Sequence, residues 1–389
     1  MGLPKITFII ATAGLALSVA NIQKVPGLVI TGNTVAGKIT IGVSKQLFSL
    51  ASAELAGITV ADNPFAHKHV KAFYDFAGDG AELWLMLASD ATTVTNIVDK
   101  TQNLAAKLLN DAAGKIRVLG VLKKSLGTEI ATNGLDGDIT TAVPNAQALA
   151  KEFADKYYPV RILLSGNNFS GDAQDLFDYS TSNFNKVAIL LANTDAAKEA
   201  SIGLALGKLA SIPVQRNIGR VKDGPVESLN AYFTDSSKVT DLSSSWESIH
   251  GKGYIFLRNF AGISGFFFSD DPTLTSATDD FKSLTNGFVM DKLVLIAYAT
   301  LINNLSDEIP VTESGTIHPA IIKSWQNEVE NAVNNLMTAN GELSGFKANI
   351  DPNQNVLGTN KLEVKLSPQP VGYAKEIDVY IGFTTQITN

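Results

Sequence analysis

An α/β fold is predicted by two features of the residue pattern. From Val25 to Ala210, short continuous apolar runs alternate with longer amphipathic ones. That is the pattern of strands buried on both faces between helices. From Gly287 onward, long helical stretches lead into strands with strict alternation, each able to bury one face. No internal repeat or low-complexity linker interrupts either part.

In chain order, Val25 to Thr31 reads as the first buried strand. Lys38 to Val43 reads as a second, because Ile39, Ile41 and Val43 alternate with Thr40 and Gly42. Ser44 to Leu55 reads as a turn and helix, and Pro64 to Phe76 as a helix carrying Phe65, Val70, Phe73 and Tyr74. The turn Gly78-Asp79-Gly80 leads to a buried strand, Glu82 to Ala88. A helix from Thr93 to Leu109 and a strand from Ile116 to Leu122 follow. Gly127 to Asp138 is a glycine-rich loop. Helices at Asn145 to Lys156 and Ala196 to Ala210 enclose strands at Pro159 to Leu164 and Lys186 to Leu191.

The texture changes at Ser243. A short helix, Trp246 to His250, precedes a strand at Gly253 to Arg258, and the run Phe266-Phe267-Phe268 reads as core. Ser269-Asp270-Asp271-Pro272 is a polar turn before a long helix, Gly287 to Leu305. The helix His318 to Asn340 lines up Ile321, Ile322, Trp325, Val329, Val333 and Leu336 on one face. Pro319 suits its first turn and Asn340-Gly341 its end. Two alternating strands close the chain, Leu362-Val364-Leu366 and Ile377-Val379-Ile381-Phe383.

At 389 residues the chain has room for roughly two to three domains. With 45% hydrophobic and 18% charged residues it has a globular balance. A net charge of -7, with Lys123-Lys124 the only notable basic pair, argues against nucleic-acid binding. Cysteine is absent, which removes disulfides, thiol nucleophiles and Cys-ligated zinc and fits a cytoplasmic origin. The apolar run Ile6 to Ala20 imitates a signal peptide. It is led by one lysine and broken by Thr7, Thr12, Gly14 and Ser18, and it falls short of the roughly 20 residues a spanning helix needs. The β-branched residues of Lys5 to Ala11 favour an extended arm instead.

Motifs for chemistry fail one by one. Gly32 to Lys38 nearly spells a phosphate-binding loop, but Ile39 stands where Ser or Thr would hold magnesium, and a strand pattern follows in place of a helix. His67 and His69 are two apart on a helix and do not share a face, so they read as surface or helix-start residues. Gly262-Ile263-Ser264-Gly265 lacks the spacing of a nucleophile elbow. Asp270-Asp271 and Asp279-Asp280 read as solvated turns, and Asp75, Asp79, Asp136 and Asp138 miss the calcium-loop spacing. The expectation is a non-enzyme with no catalytic, cofactor or metal site.

The order of these segments resembles that of contractile-tail sheath proteins, the sheaths of contractile phages and related injection systems. It is most similar to the compact sheath-like family of Bacteroidetes-type phages. Pro26 to Gly32 resembles the family's opening strand, and His69 to Gly80 with Ala81 to Leu85 its helix, turn and buried strand. Gly203 to Ala210, with Pro213-Val214 and Asn217 to Gly219, resembles a core helix and loop. Gly251 to Thr275 resembles the entry into the inner domain. The strongest stretch is Gly341 to Gly345, Asp351 to Leu357 and Pro370 to Ile377, similar to the family's closing signature.

The resemblance implies an extended arm at residues 1–20, an outer α/β domain at 21–265 and an inner domain at 266–389. The inner sheet would be completed by the terminal arms of neighbouring subunits. Strand exchange would involve Ile6, Phe8 and Ile10, the receiving Leu362, Val364 and Leu366, and the donated Ile377, Val379, Ile381 and Phe383. Lys323, Asn327 and Glu330 are the implied contacts to an inner tail tube. The implied partners are further copies of the chain, the tube protein, and baseplate and tail terminator proteins, without nucleic acid or membrane insertion. The implied location is a virion tail or injection-system particle assembled in the bacterial cytoplasm. Competing readings are a doubly wound α/β nucleotide-binding domain or enzyme, and a non-contractile tube or shell protein.

Overall fold

In the computed structural model, residues 24–313 and 315–379 are described. The first strand, β1 (Val25–Thr31), is buried along almost its whole length, as its unbroken apolar run requires. It lies between β3 (Leu83–Ala88) and β4 (Ile116–Leu122), parallel to both. The short β2 (Lys45–Leu47) caps the β3 edge antiparallel. On the other side β4 pairs with β5 (Arg161–Ser165), which pairs with β6 (Val187–Leu190), and that with β7 (Tyr254–Ile255), all parallel. The order β7-β6-β5-β4-β1-β3-β2 is that of a doubly wound sheet.

Helices cover it. Besides α1 (Leu50–Leu55), α2 (Pro64–Ala77) packs against α6 (Ile202–Ser211). α3 (Val94–Val98), α4 (Ala105–Asp111) and α5 (Gly137–Asp155) lie between α2 and α6 in the chain, and α3 packs on α5. The α2–α6 contact depends on glycine. A Cβ on Gly203 would overlap the His69 carbonyl, and one on Gly207 the Phe73 carbonyl. The bare backbone of α6 therefore rests directly on α2.

A short helix, α7 (Trp246–Gly251), precedes β7, and the antiparallel pair β8 (Leu257–Phe260) and β9 (Ile263–Phe268) follows it. Then α8 (Leu284–Leu301) runs from the sheet to the C-terminal part. Its length and composition would suit a membrane span, but half of that stretch is buried inside the protein. Toward the sheet, Asp291 pairs with Arg161 of β5. Toward the C-terminus, Lys292 pairs with Glu342 at 2.6 Å. α9 (Pro319–Leu336) packs on α8 and on a two-stranded ribbon of β10 (Gly345–Ile350) and β11 (Val364–Gln369).

Several expectations are corrected. Lys38 to Val43 is a turn, not a strand: Gly42 has φ of 76° and Val35 closes a bridge to Ile39, whose side chain is buried. Thr93 to Leu109 is two helices, α3 and α4. The loop ascribed to Gly127–Asp138 holds a small β-bridge pair and the start of α5, which begins at Gly137 and carries Pro144 within it. His67 and His69 are buried, not superficial. Asp271 is fully buried and Asp270 nearly so, the reverse of a solvated turn. A further strand, β10, lies where none is expected, with Phe346, Ala348 and Ile350 alternating along it.

Candidate assembly interface

The ribbon is built from alternation. Phe346, Ala348 and Ile350 of β10 point to one face, opposite Pro368, Leu366 and Val364 of β11. That face meets α9 through Trp325, Val329 and Val333, all buried. Leu362 and Val364 complete a small cluster with Ile317, Trp325 and Ile350, while Leu366 packs against the main core. Lys347, Asn349, Lys365 and Ser367 face away from it.

The two edges of the ribbon differ. On the β10 side, the Ala348 amide donates to Glu330 Oε1 of α9 at 3.1 Å. Glu330 thereby covers that edge. Because the Ala348 amide points outward, its pair with Leu366 is not hydrogen-bonded across the ladder. The Leu366 amide then also points outward, from the far edge of β11, and Val364 shares its phase. Pro368, next in that phase, has no amide to offer. Among the described residues nothing accepts from the Val364 or Leu366 amides on this side. β11 therefore presents an open edge of main-chain groups, centred on Val364 and Leu366.

The terminal segment lies elsewhere. Residues 371–379 form no regular structure, and Ile377 and Val379 are 77% and 71% exposed. The segment is tied down at two points. Tyr373 Oη donates to the Gln215 carbonyl at 2.5 Å, and Lys375 Nζ pairs with Asp270 Oδ2 at 2.5 Å. The first described residue, Lys24, ends nearby: its Nζ donates to the Pro213 carbonyl at 3.1 Å and lies over the Phe288 ring. Asp270 and Asp271 are bridged by Asn217, whose amide donates to both at 2.6 Å. Asp271 also accepts from the Thr285 amide in the first turn of α8 at 2.8 Å.

Electrostatics follow from that burial. Desolvation, then the adjacent Asp270, pushes the Asp271 carboxyl up to about 7. Burial would raise Asp270 as well, but Lys375 and Asn217 outweigh it and hold that group below its ordinary range. Burial brings Lys24 down to about 7 against the opposing pull of Asp271.

Of the residues singled out in the sequence, Val364 and Leu366 lie on the ribbon, and Leu362 lies just before it, in the cluster with Ile317 and Trp325. Ile377 and Val379 are exposed and outside any strand. Ile6, Phe8, Ile10, Ile381 and Phe383 lie outside the described residues. Lys323 and Asn327 are exposed on α9, while Glu330 turns to β10 instead of solvent. The Gly32 to Lys38 loop leads into the Val35–Ile39 bridge and not into a helix N-terminus.

The fold of this chain is matched over nearly its whole length by solved contractile sheath proteins. The chain is similar to the helical sheath of the anti-feeding prophage in its contracted state, with 15% identity, a TM-score of 0.62 and coverage of 99% of this chain and 100% of that one. It is similar to the PVC sheath complex of an extracellular contractile injection system in the contracted state, with 14% identity, a TM-score of 0.59 and 100% and 98% coverage. A third likeness is the sheath tail protein of Desulfitobacterium hafniense, with 8% identity, a TM-score of 0.51 and 93% and 99% coverage. By family the chain belongs to DUF2586: the N-terminal domain of that family matches residues 3–272 and the C-terminal domain residues 280–388. No curated protein matches it.

Proposed function

We propose that this chain is the structural subunit of a contractile sheath, without catalytic activity. It polymerises around an inner tube and shortens to drive that tube through a target envelope. The observation that carries this reading is the open β11 edge at Val364 and Leu366, in a fold shared with sheath proteins. A strand from a neighbouring subunit would bond there main chain to main chain, leaving subunit bodies free to rotate during contraction. The donated strands would come from residues 6–11 and from Ile377 to Phe383. Residues 1–20 serve as an arm, 21–265 as the outer domain and 266–389 as the inner domain.

Lys323 and Asn327 would face the tube, where a charged, polar rim allows sliding release more readily than an apolar seam. Baseplate and terminator proteins would close the two ends of the polymer, in a phage tail or injection particle assembled in the bacterial cytoplasm. The energy for contraction would reside in the extended lattice and be released by repacking of interfaces.

Negative-stain electron microscopy of the purified full-length chain tests the reading. Rings or long tubes are expected, and deletion of residues 1–12 is expected to abolish them. A chain that stays monomeric at every concentration, or a truncated one that polymerises unchanged, would overturn it.

A further inference from the structure

The C-terminal segment reaches the body at a buried carboxylate pair. Lys375 pairs with Asp270, and Tyr373 reaches the Gln215 carbonyl, two residues from the Pro213 carbonyl that holds Lys24. We propose that Asp270 and Asp271 form an intramolecular latch that parks the C-terminal segment on the body of the free subunit and sets the point from which it departs toward a neighbour. The inference rests on the sheath reading for the word neighbour. The latch itself is a property of the single chain.

Three observations build it. First, the segment spans a cleft of about 900 Å³, bordered by Gln215, Arg216, Trp246, His250 and Arg258. Among the described residues its side-chain hydrogen bonds to the body come from one aromatic hydroxyl and one ammonium, and the described chain beyond them carries no strand pairing. Residues 376–379 are thus held by what precedes them. Second, the anchor is rigid. Asn217 bridges both carboxylates, and Asp271 is fixed to the first turn of α8 by the Thr285 amide and hydroxyl. α8 in turn is locked to the sheet at Asp291 and to the ribbon at Lys292. Third, the anchor is short of cations without the segment. His250 Nε2 lies 3.8 Å from Asp270, a longer contact than the 2.5 Å of Lys375. Removing Lys375 would leave a buried carboxylate with amide donors, from Asn217 and the Asp271 main chain, but without its close ammonium, so the latch favours occupancy by the segment.

The two tethers differ in kind. The Lys375 ammonium is half exposed and can exchange its partner for water, whereas the Asp270 side chain is 12% exposed and stays in place. The segment is therefore held by a releasable bond to a fixed point, which suits a segment that must leave during assembly.

The absence of cysteine from the chain makes the test direct. A cysteine placed at Ile377 and spin-labelled reports the mobility of the segment in dilute free subunits. In the otherwise unaltered chain the label is expected to show a motionally restricted component. Asp270→Asn and, separately, Lys375→Met are each expected to convert it to a fast one, while Lys361→Met leaves it unchanged. In the unlabelled chain, Asp270→Asn should raise tryptic cleavage after Lys375 about tenfold, the loss of one charge-assisted bond. Lys375→Met alters an exposed side chain, so it reports even where Asp270→Asn fails to fold. A label already mobile in the parent chain, or restricted equally in a folded Asp270→Asn and in Lys375→Met, would overturn the latch. Failure of the sheath reading appears separately, as absence of polymers by electron microscopy with label mobility as expected.

Discussion

Arg161 of β5 grips Asp291 of α8 with two parallel hydrogen bonds, Nε to Oδ2 at 2.8 Å and Nη2 to Oδ1 at 2.9 Å. Both side chains are buried, and the remaining Nη1 donates to the Asn185 carbonyl. Gly287, one turn earlier on α8, leaves room for the guanidinium: a Cβ there would overlap it. The pair is the polar bolt between the sheet and the helix that carries the ribbon.

Breaking that bolt from one side leaves an uncompensated buried charge. Asp291→Asn is expected to lower unfolding free energy by about 3–5 kcal/mol, and Gly287→Ala, which crowds the guanidinium while keeping both charges, by about 1–3 kcal/mol. The double change Arg161→Met with Asp291→Leu should recover much of the loss, because neither charge is then buried alone. Urea denaturation followed by circular dichroism measures all three. A Gly287→Ala chain as stable as its parent would contradict the packing described.

Replacing Leu366 by proline separates folding from assembly. Its amide points away from β10, so no ladder bond is lost and the circular dichroism spectrum should be kept, while the lost side-chain packing on the main core costs about 1–3 kcal/mol, a cost that Leu366→Ala shares without losing the amide. Strand addition on that edge needs the amide, and tubes should disappear from micrographs. Unimpaired tubes would place the intersubunit bond elsewhere.

The opposite edge is protected by one side chain. Glu330→Ala strands the Ala348 amide and should cost about 1–3 kcal/mol, with new non-specific association visible by light scattering. Glu330→Gln keeps an acceptor and should restore most of both properties.

His69 sets an acid limit on stability. It is wholly buried, and burial, helped by Lys68, holds its pKa well below the ordinary 6.5. Below pH 6.5 the unfolded chain binds a proton that the folded chain refuses. Stability contributed by this site is therefore complete above 6.5 and falls as pH drops, by about 1.4 kcal/mol per pH unit until the folded value is reached. His69→Leu should flatten that slope. Stability curves of the two chains that stay parallel from neutral to acid pH would show that His69 is not the source.

Much of the sheet was legible because its strands advertise themselves. Val25 to Thr31 and Ile116 to Leu122 carry unbroken apolar runs, and each forms a strand over the residues read for it. Lys38 to Val43 alternated just as well, yet the left-handed glycine at 42 bent it into a turn. The alternation in β10 is harder to read, because Gly345 and the intervening Lys347 and Asn349 dilute its apolar content. At the interface, Val364 and Leu366 are readable as one face of a strand, which begins two residues later than the alternation from Leu362 suggests. Glu330 was not readable as an edge cover, since an acidic residue on a polar helix face looks the same whether it meets water or a strand.

The sequence alone determined the alternation of strand and helix, the absence of cysteine and the departure of the Gly32 to Lys38 loop from the phosphate-loop pattern, because each depends on residue type and local spacing. Only the tertiary structure decided which ribbon edge stays open and what becomes of Asp270 and Asp271. An edge is open or closed according to what a distant helix brings to it, here Glu330 from α9. A pair of neighbouring aspartates is a solvated turn or a buried anchor according to partners far away in the chain. Asn217, Thr285 and Lys375 supply those partners, and long-range packing alone brings them together.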